Sequence, residues 1–328
     1  MQRISVIICN YNYADFVGRS IDSALALEWP DVEVIVVDNG STDSSREVIA
    51  GFGSRIRVLL QENMGQRVAS NNGFAMSTGD VVMFLDSDDM LVPSLAPELA
   101  KIWRPGVSKV QFQLKRVDSQ DRPLGSVFPK YRTAPSPDEI RRWAEETTAY
   151  PTPPGSGNAY ARSFLERIFP LDDSTGQFSD SACLAAAPFL GDVLTIPQPL
   201  GLYRVHGRND SNLLNDPSRF RREVERARAR YLFSTRVRGN GRAPADERPL
   251  RRSRELLQLR IAAVRLSPEP PGLPGDTRAR MLWDAVRSPL HPGPEDLTTR
   301  LLIAAWSVVT LIAPRPLARR LIRRRYNH

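Results

Sequence analysis

Over its first hundred residues the chain alternates short, β-branched apolar runs with stretches of helical periodicity. The runs are ISVIIC (4–9), VEVIVV (32–37), IRVLL (56–60) and VVMFL (81–85), each apolar at successive positions. Between them lie DFVGRSIDSALAL (15–27), SSREVIAGF (44–52) and QRVASNNGFAMS (66–77), with helical spacing of their apolar residues. A strand apolar on both faces needs cover on both, and intervening helices supply it. The fold class is therefore α/β: an open, doubly wound, mostly parallel sheet with helices on both faces.

Beyond residue 101 the pattern loosens. KVQFQLKRV (109–117) alternates as a strand, PSPDEIRRWAEE (135–146) starts a helix, and YPTPPGSGN (150–158) reads as a rigid loop before a helix around RSFLERI. SDSACLAAAPFL (179–190) reads as a buried helix and LGLYRV (200–205) as a strand. Helices then dominate, with FRREVERARARYLF (220–233) and RSRELLQLRIAAVRL (252–266) flanked by Pro/Gly linkers. The expected organisation is an α/β domain over 1–215, in halves 1–100 and 101–215, followed by an Arg-rich helical extension over 216–328. The N-terminus MQRISVIICNYN reads as the first strand rather than a signal peptide. Two cysteines, Cys9 and Cys183, in apolar contexts give no disulfide framework and suit a reducing compartment.

Charge divides the chain the same way. Residues 1–215 carry 20 basic and 26 acidic side chains, whereas 216–328 carry 25 arginines against 11 carboxylates. The second part calls for an anionic partner.

The polar residues of the first part sit where parallel strands end: CNYN after the first, DNGSTD after the second and DSDD after the fourth. In open α/β sheets that edge is where ligands bind. Asp86, Asp88 and Asp89 lie together with no Lys or Arg between Gly79 and Lys101. Like charges so placed raise one another's pKa unless a positive group joins them. A hard divalent cation, Mg²⁺ or Mn²⁺, suits such a cluster, with phosphate oxygens completing its shell. An EF-hand is excluded, because Leu91 and Pro97 stand where its Gly and Glu must be. A phosphate-binding loop ending in Gly-Lys-Ser/Thr is absent. Asp89 alone could do no more than cap a helix. Asp38 reads either as an acceptor for the imide N–H of a uracil or as a cap for its own turn, which Gly40 makes possible.

Taken in order, SVIICNYN, VVDNGSTDSS and ENMGQRVASNNGFAMSTGDVVMFLDSDD resemble the family 2 glycosyltransferases of GT-A fold, closely over 3–92 and more loosely over 155–212. The resemblance implies a nucleotide-sugar donor, a divalent cation and transfer with inversion. By motif, Cys9, Asn10 and Tyr11 would line the nucleotide pocket, with Asp38 at the base and Asp86 and Ser87 on the ribose side. Asp88 would bind the metal. Where family members often carry an Arg, Ser70 stands instead, so Gln66 and Arg67 are candidates for the phosphate side; Arg67 otherwise faces solvent. The family's base is commonly the Asp of a Glu-Asp pair; here Ser179-Asp180 stands in its place. Asp180 is thus either the base or a plain first-turn acid, with Asp172 and Asp173 in reserve. In PLGLYRVHGRNDSN (199–212) the resemblance makes His206 a metal or phosphate ligand, assisted by Arg204 and Arg208.

LLIAAWSVVTLIA (301–313) precedes the arginine-rich PRPLARRLIRRRYNH. As a helix it is too short to span a bilayer, so it fits an interfacial helix on an anionic membrane or a helix docked on protein. No aromatic stacking pattern supports nucleic-acid binding. The expected activity is transfer from a nucleotide-diphosphate sugar, with UDP favoured by Asp38, to a glycan or lipid-linked acceptor at the cytoplasmic face of the inner membrane. The alternatives are a degenerate glycosyltransferase-like scaffold and a nucleotidyltransferase.

Overall fold

The computed structural model describes residues 2–131, 133–173, 179–207, 213–214, 216–239, 246–266 and 272–326. It divides into two compact units, Met1–Glu139 with Pro151–Gly207, and Ile140–Tyr150 with Arg208–His328.

In the first unit the described strands are β1 (Ile4–Asn10), β2 (Val32–Asn39), β3 (Arg57–Gln61), β4 (Val81–Asp86), β5 (Met90–Leu91), β6 (Val107–Val117), β7 (Pro123–Phe128), β8 (Asn158–Ala161) and β9 (Asp192–Arg204). They form one sheet in the order β3-β2-β1-β4-β8-β6-β9-β5, with β7 paired to β6. From β3 to β4 every pairing is parallel, as the apolar runs require. Beyond β4 the sheet is mixed: β8 runs antiparallel to both β4 and β6, β9 runs parallel to β6, and β5 is antiparallel to β9.

Helices α1 (Ala14–Leu25), α2 (Ser45–Ala50), α3 (Gln66–Met76), α4 (Leu95–Ile102), α5 (Pro137–Thr147), α6 (Arg162–Leu165) and α7 (Ser179–Leu190) accompany these strands in sequence; α5 crosses the boundary between the units. Helix α1 buries Phe16, Val17, Ser20, Ile21 and Ala24, one stripe at helical spacing. Val17, Ile21 and Ala24 share a core with Ile4, Val6 and Ile8 of β1. The opposite side of β1 meets α3: a Cβ on Gly73 would lie 2.5 Å from Ile7 Cγ2, so only glycine allows that approach. Both faces are thus filled, and β1 is buried almost throughout.

The antiparallel β8 places the site. Since it runs against β4, with Met83 opposite Ala159, its leading turn Gly155–Gly157 falls beside Asp86 at the carboxyl end of β4. The loop expected over 150–158 thus ends in a strand, which four residues are too few to announce by periodicity.

The second unit is helical: α8 (Ser218–Arg238), α9 (Arg248–Arg252), α10 (Arg254–Leu266), α11 (Arg278–Arg287), α12 (Leu297–Ile312) and α13 (Arg315–Tyr326). It also takes in Ile140–Tyr150, which the sequence reading placed in 101–215. Helix α10 is its axis, buried at nearly every position. Arg260 of α10 is fully buried and donates from Nε to Asp276 (2.8 Å) and from a terminal nitrogen to Asp284 (2.9 Å). The fork geometry of a guanidinium suits two carboxylates at once. No helix among the described residues is long and apolar enough to cross a membrane.

Candidate functional site

The loops after β1 and β2 are laced together. Asn10 is buried and donates from Nδ2 to Asp38 Oδ1 and to Ser41 Oγ, both at 3.1 Å. Asn12 sits in the left-handed region (φ 58°), which asparagine tolerates, and its Oδ1 accepts from Thr42 N at 2.7 Å. Gly40 (φ 85°) turns so tightly that a Cβ there would lie 2.7 Å from Asn63 N.

Asp38 is fully buried, and its Oδ2 accepts from Ser41 N (3.1 Å) and Arg46 Nε (2.9 Å). Burial alone would raise its pKa; bonds from Ser41, Arg46 and Asn10 outweigh that and hold it low. Both readings of Asp38 thus meet the same fact: the carboxylate already supports its own turn. Arg46, which covers it, is 45% exposed. Tyr11 is exposed, and Asn10 Oδ1 is buried without a partner among the described residues. Cys9 Sγ lies 3.7 Å from Ser70 Oγ, and burial pushes the thiol up to about 12, so it stays protonated at neutral pH.

The acidic loop is fixed from three sides. Asp86 N donates to Ser156 Oγ (3.2 Å), Ser20 Oγ donates to Asp86 O (3.3 Å), and Asp89 N donates to Asp86 O (3.0 Å). Burial, then the charges of Asp88 and Asp180, push Asp86 up to about 8. Burial and the same crowding by Asp88 and Asp86 raise Asp89 well above the ordinary range. Asp89 Oδ1 accepts from Arg204 N (3.0 Å), while its buried Oδ2 has no partner among the described residues. Ser87 is buried within the same turn.

Arg204, expected beside His206 at the phosphate, has its guanidinium bonded within the protein. It is fully buried, donates to the carbonyl oxygen of Asp88 (2.6 Å) and to Asp121 Oδ1 (2.5 Å from a terminal nitrogen, 3.1 Å from Nε), and lies over the Phe16 ring. Arg19 holds the other oxygen of Asp121 at 2.6 Å. Arg204 is thus a strut from β9 to the acidic loop, a role hidden from the sequence because Asp121 lies far along the chain. Arg67 does not face solvent: it donates to Leu171 O (3.0 Å) and pairs with Asp173. Gln66 stands at the first position of α3, half-buried. Arg208 lies outside the described residues.

Two pairs of groups converge. His206 Nε2 lies 2.9 Å from Asp88 Oδ2, its ring stacked on Phe16 (centroids 4.8 Å apart) with Tyr13 at its edge. Asp180, in the first turn of α7, meets Asp86 across Gly155: a Cβ built on that glycine would lie 3.7 Å from Asp180 Cβ and 3.7 Å from Asp86 Oδ2. Asp180 Oδ1 accepts from Ser181 N at 2.7 Å. Gly155 is in ordinary contact range of its neighbours, so Gly155→Ala should fold normally. The added methyl would sit against Asp180 Cβ and the Asp86 carboxylate, and misplacement on that scale lowers turnover by up to roughly 10²-fold. Unchanged turnover in a steady-state assay would show that the space beside Gly155 is not used.

Among the described residues no group of three or more His, Cys, Asp or Glu side chains is arranged to hold a metal ion. Asp88 and His206 are the adjacent pair, and the unpartnered Asp89 oxygen marks excess negative charge beside them. That donor set fits a cation taking few protein ligands and the rest from phosphate and water.

Acidic groups at the carboxyl ends of the parallel strands, with an antiparallel β8 returning beside them, define a GT-A-type glycosyltransferase fold. The Glycosyl transferase family 2 model matches residues 5–169, and the chain belongs to that family. It is similar to an uncharacterized glycosyltransferase of Nostoc sp., 37% identical over 217 residues, 63% of this chain. The match takes in 66% of that relative's length, just under two thirds, and a smaller share of other curated relatives. Two solved structures share the fold. S. aureus TarS in complex with UDP has a TM-score of 0.54 at 14% identity, over 94% of this chain and 90% of that one. The Pyrobaculum calidifontis mannosyltransferase PcManGT, in complex with GDP-Man and Mn²⁺, has a TM-score of 0.53 at 19% identity, over 98% and 84%.

Proposed function

We propose that the protein transfers a sugar from a nucleoside-diphosphate donor, with UDP as the nucleotide, to a hydroxyl of a glycan or lipid-linked acceptor, with inversion and with Mg²⁺ or Mn²⁺. The observation that carries this reading is the convergence of Asp86, Asp88, Asp180 and His206 at one end of the parallel strands. Family membership removes the support for a nucleotidyltransferase. TarS with UDP and PcManGT with GDP-Man and Mn²⁺ make a nucleotide donor and a cation reasonable here.

In this reading Cys9, Asn10 and Tyr11 line the base pocket, and Asn10 Oδ1 is a waiting acceptor. A uracil imide reaches Asp38 once the half-exposed Arg46 side chain swings out. Asp86 and Ser87 face the ribose, Gln66 the phosphate side. Asp88 and His206 would hold the cation, which when bound would supply Lewis-acid stabilisation of the leaving diphosphate. Asp180 takes the acceptor proton as general base. In the same reading the arginine-rich C-terminal helices bind an anionic membrane surface, at the cytoplasmic face of the inner membrane.

The test is thermal stability with UDP, dTDP, GDP or CDP, each with and without Mn²⁺. A nucleotide at a hundred times its Kd should stabilise by roughly 2.7 kcal/mol, and only with the metal. The fold takes up a proton at Asp86, whose pKa of about 8 lies above the ordinary carboxylate range. That stabilisation is complete below the ordinary range and is lost as pH rises towards about 8. A cation in place of the proton should therefore stabilise more at about pH 8 than at about pH 6. No shift with any nucleotide would leave the scaffold alternative standing.

A further inference from the structure

Helix α12 shows its carbon outward. Between 301 and 312 its exposed positions are Leu301, Leu302, Ala305, Val309 and Ile312, all apolar. Ser307 and Thr310 are turned inward and fully buried, with hydroxyls that have no partner among the described residues. That is the reverse of a helix built to face water. On α11 Trp283 is 58% exposed and Val286 61%. At about 24 Å, α12 cannot cross a hydrocarbon core of about 30 Å, so this surface has to lie along an apolar partner.

At one end of α12 the apolar surface meets a cleft that gathers three arginines, Arg265, Arg278 and Arg315, with Leu282 and Ile312 in its wall. No carboxylate occurs among the described residues that line it. Arg265 is only 8% exposed; it donates to the carbonyl oxygen of Ala313, and its Nε has no partner among the described residues. Burial, then the charges of Arg278 and Arg315, lower its pKa. Three guanidinium groups so placed repel one another until an anion with several acceptor oxygens joins them, and phosphate matches their forked donors. Arg319, Arg320, Arg323 and Arg324 stand exposed on α13, the charge an anionic bilayer attracts. Free phosphate would satisfy the arginines and leave the apolar face bare. A phospholipid satisfies both.

We propose that this cleft is a headgroup site for an anionic phospholipid, with the phosphate among Arg265, Arg278 and Arg315 and an acyl chain along Leu282, Ile312 and the outer face of α12. The proposal deepens the membrane-surface reading above and rests on it. The full-length protein should co-sediment with phosphatidylglycerol vesicles and not with phosphatidylcholine vesicles. The Arg278→Gln/Arg315→Gln variant, which alters two exposed side chains, should bind phosphatidylglycerol roughly thirtyfold more weakly, the combined loss for two arginines at an anionic surface. Circular dichroism and nucleotide stabilisation should be unchanged in it. Equal binding by variant and parent overturns the headgroup site and leaves the membrane reading intact. Binding to neither vesicle overturns both. Release of the parent by millimolar inorganic phosphate at constant ionic strength would show a free-anion site instead and overturn the lipid assignment.

Discussion

Asp180→Asn is expected to lower sugar transfer by on the order of 10² to 10⁴-fold, the usual contribution of a general base. Metal-dependent nucleotide binding should survive the change. Asp180 faces Asp86 across Gly155 and sits in the first turn of a helix, so the amide fits the same space. It cannot take a proton. Asp88→Asn is expected to remove transfer as well, but through a different loss. Asp88 carries the oxygen nearest His206, and an amide there is a poor ligand for a hard cation. Nucleotide stabilisation by Mn²⁺ should disappear in that variant alone. A kinetic assay beside a thermal-shift assay separates the two. Retained turnover in Asp180→Asn would remove it as the base, and Asp172 and Asp173 would be the groups to examine next.

Arg204→Met is expected to cost the first unit about 3 kcal/mol, the lower end for breaking a buried ion pair, because Asp121 is 31% exposed and keeps some water. For a unit of this size that is a fall of roughly 10 °C in Tm. The arginine bonds the carbonyl of Asp88, and its own amide N–H bonds the Asp89 carboxylate. Without its side chain the Asp88 carbonyl and Asp121 lose their shared donor while β9 still runs alongside β5. Arg204→Lys keeps the charge but not the fork, and should recover part of the loss. Calorimetry of the two variants checks this; a Tm within about 2 °C of the parent for Arg204→Met would show that the strut is dispensable.

How much of this was legible depends on where a residue's partners lie. The parallel strands β1 to β4 follow from local pattern, because strands buried on both faces must be apolar throughout. The ends of those strands then put Asn10, Asp38 and Asp86 at one edge. Strand β8 was missed because NAYA owes its extended form to its neighbours β4 and β6, not to its own periodicity. The partners of Arg204 and Arg67 were hidden for a related reason. Their carboxylates, Asp121 and Asp173, are far off in sequence, so both arginines looked available for phosphate. Ser156 and Gly155 were passed over as ordinary loop residues, and only the antiparallel return of β8 brings them to Asp86. For α12 the apolar content was plain, but an uncharged, mostly apolar run does not reveal that Ser307 and Thr310 point inward.

The pairing of β4 with β8 bears on how the chain is born. Synthesis delivers β4 well before β8, and in that interval Val81–Leu85, apolar throughout, has β1 on one side and nothing of its own sheet on the other. A bare, flat, apolar edge is what a nascent chain has most reason to hide. A fragment cut near residue 101 would keep that edge exposed for good. The strand that brings Gly155 and Ser156 to Asp86 is therefore also the one that closes the growing sheet.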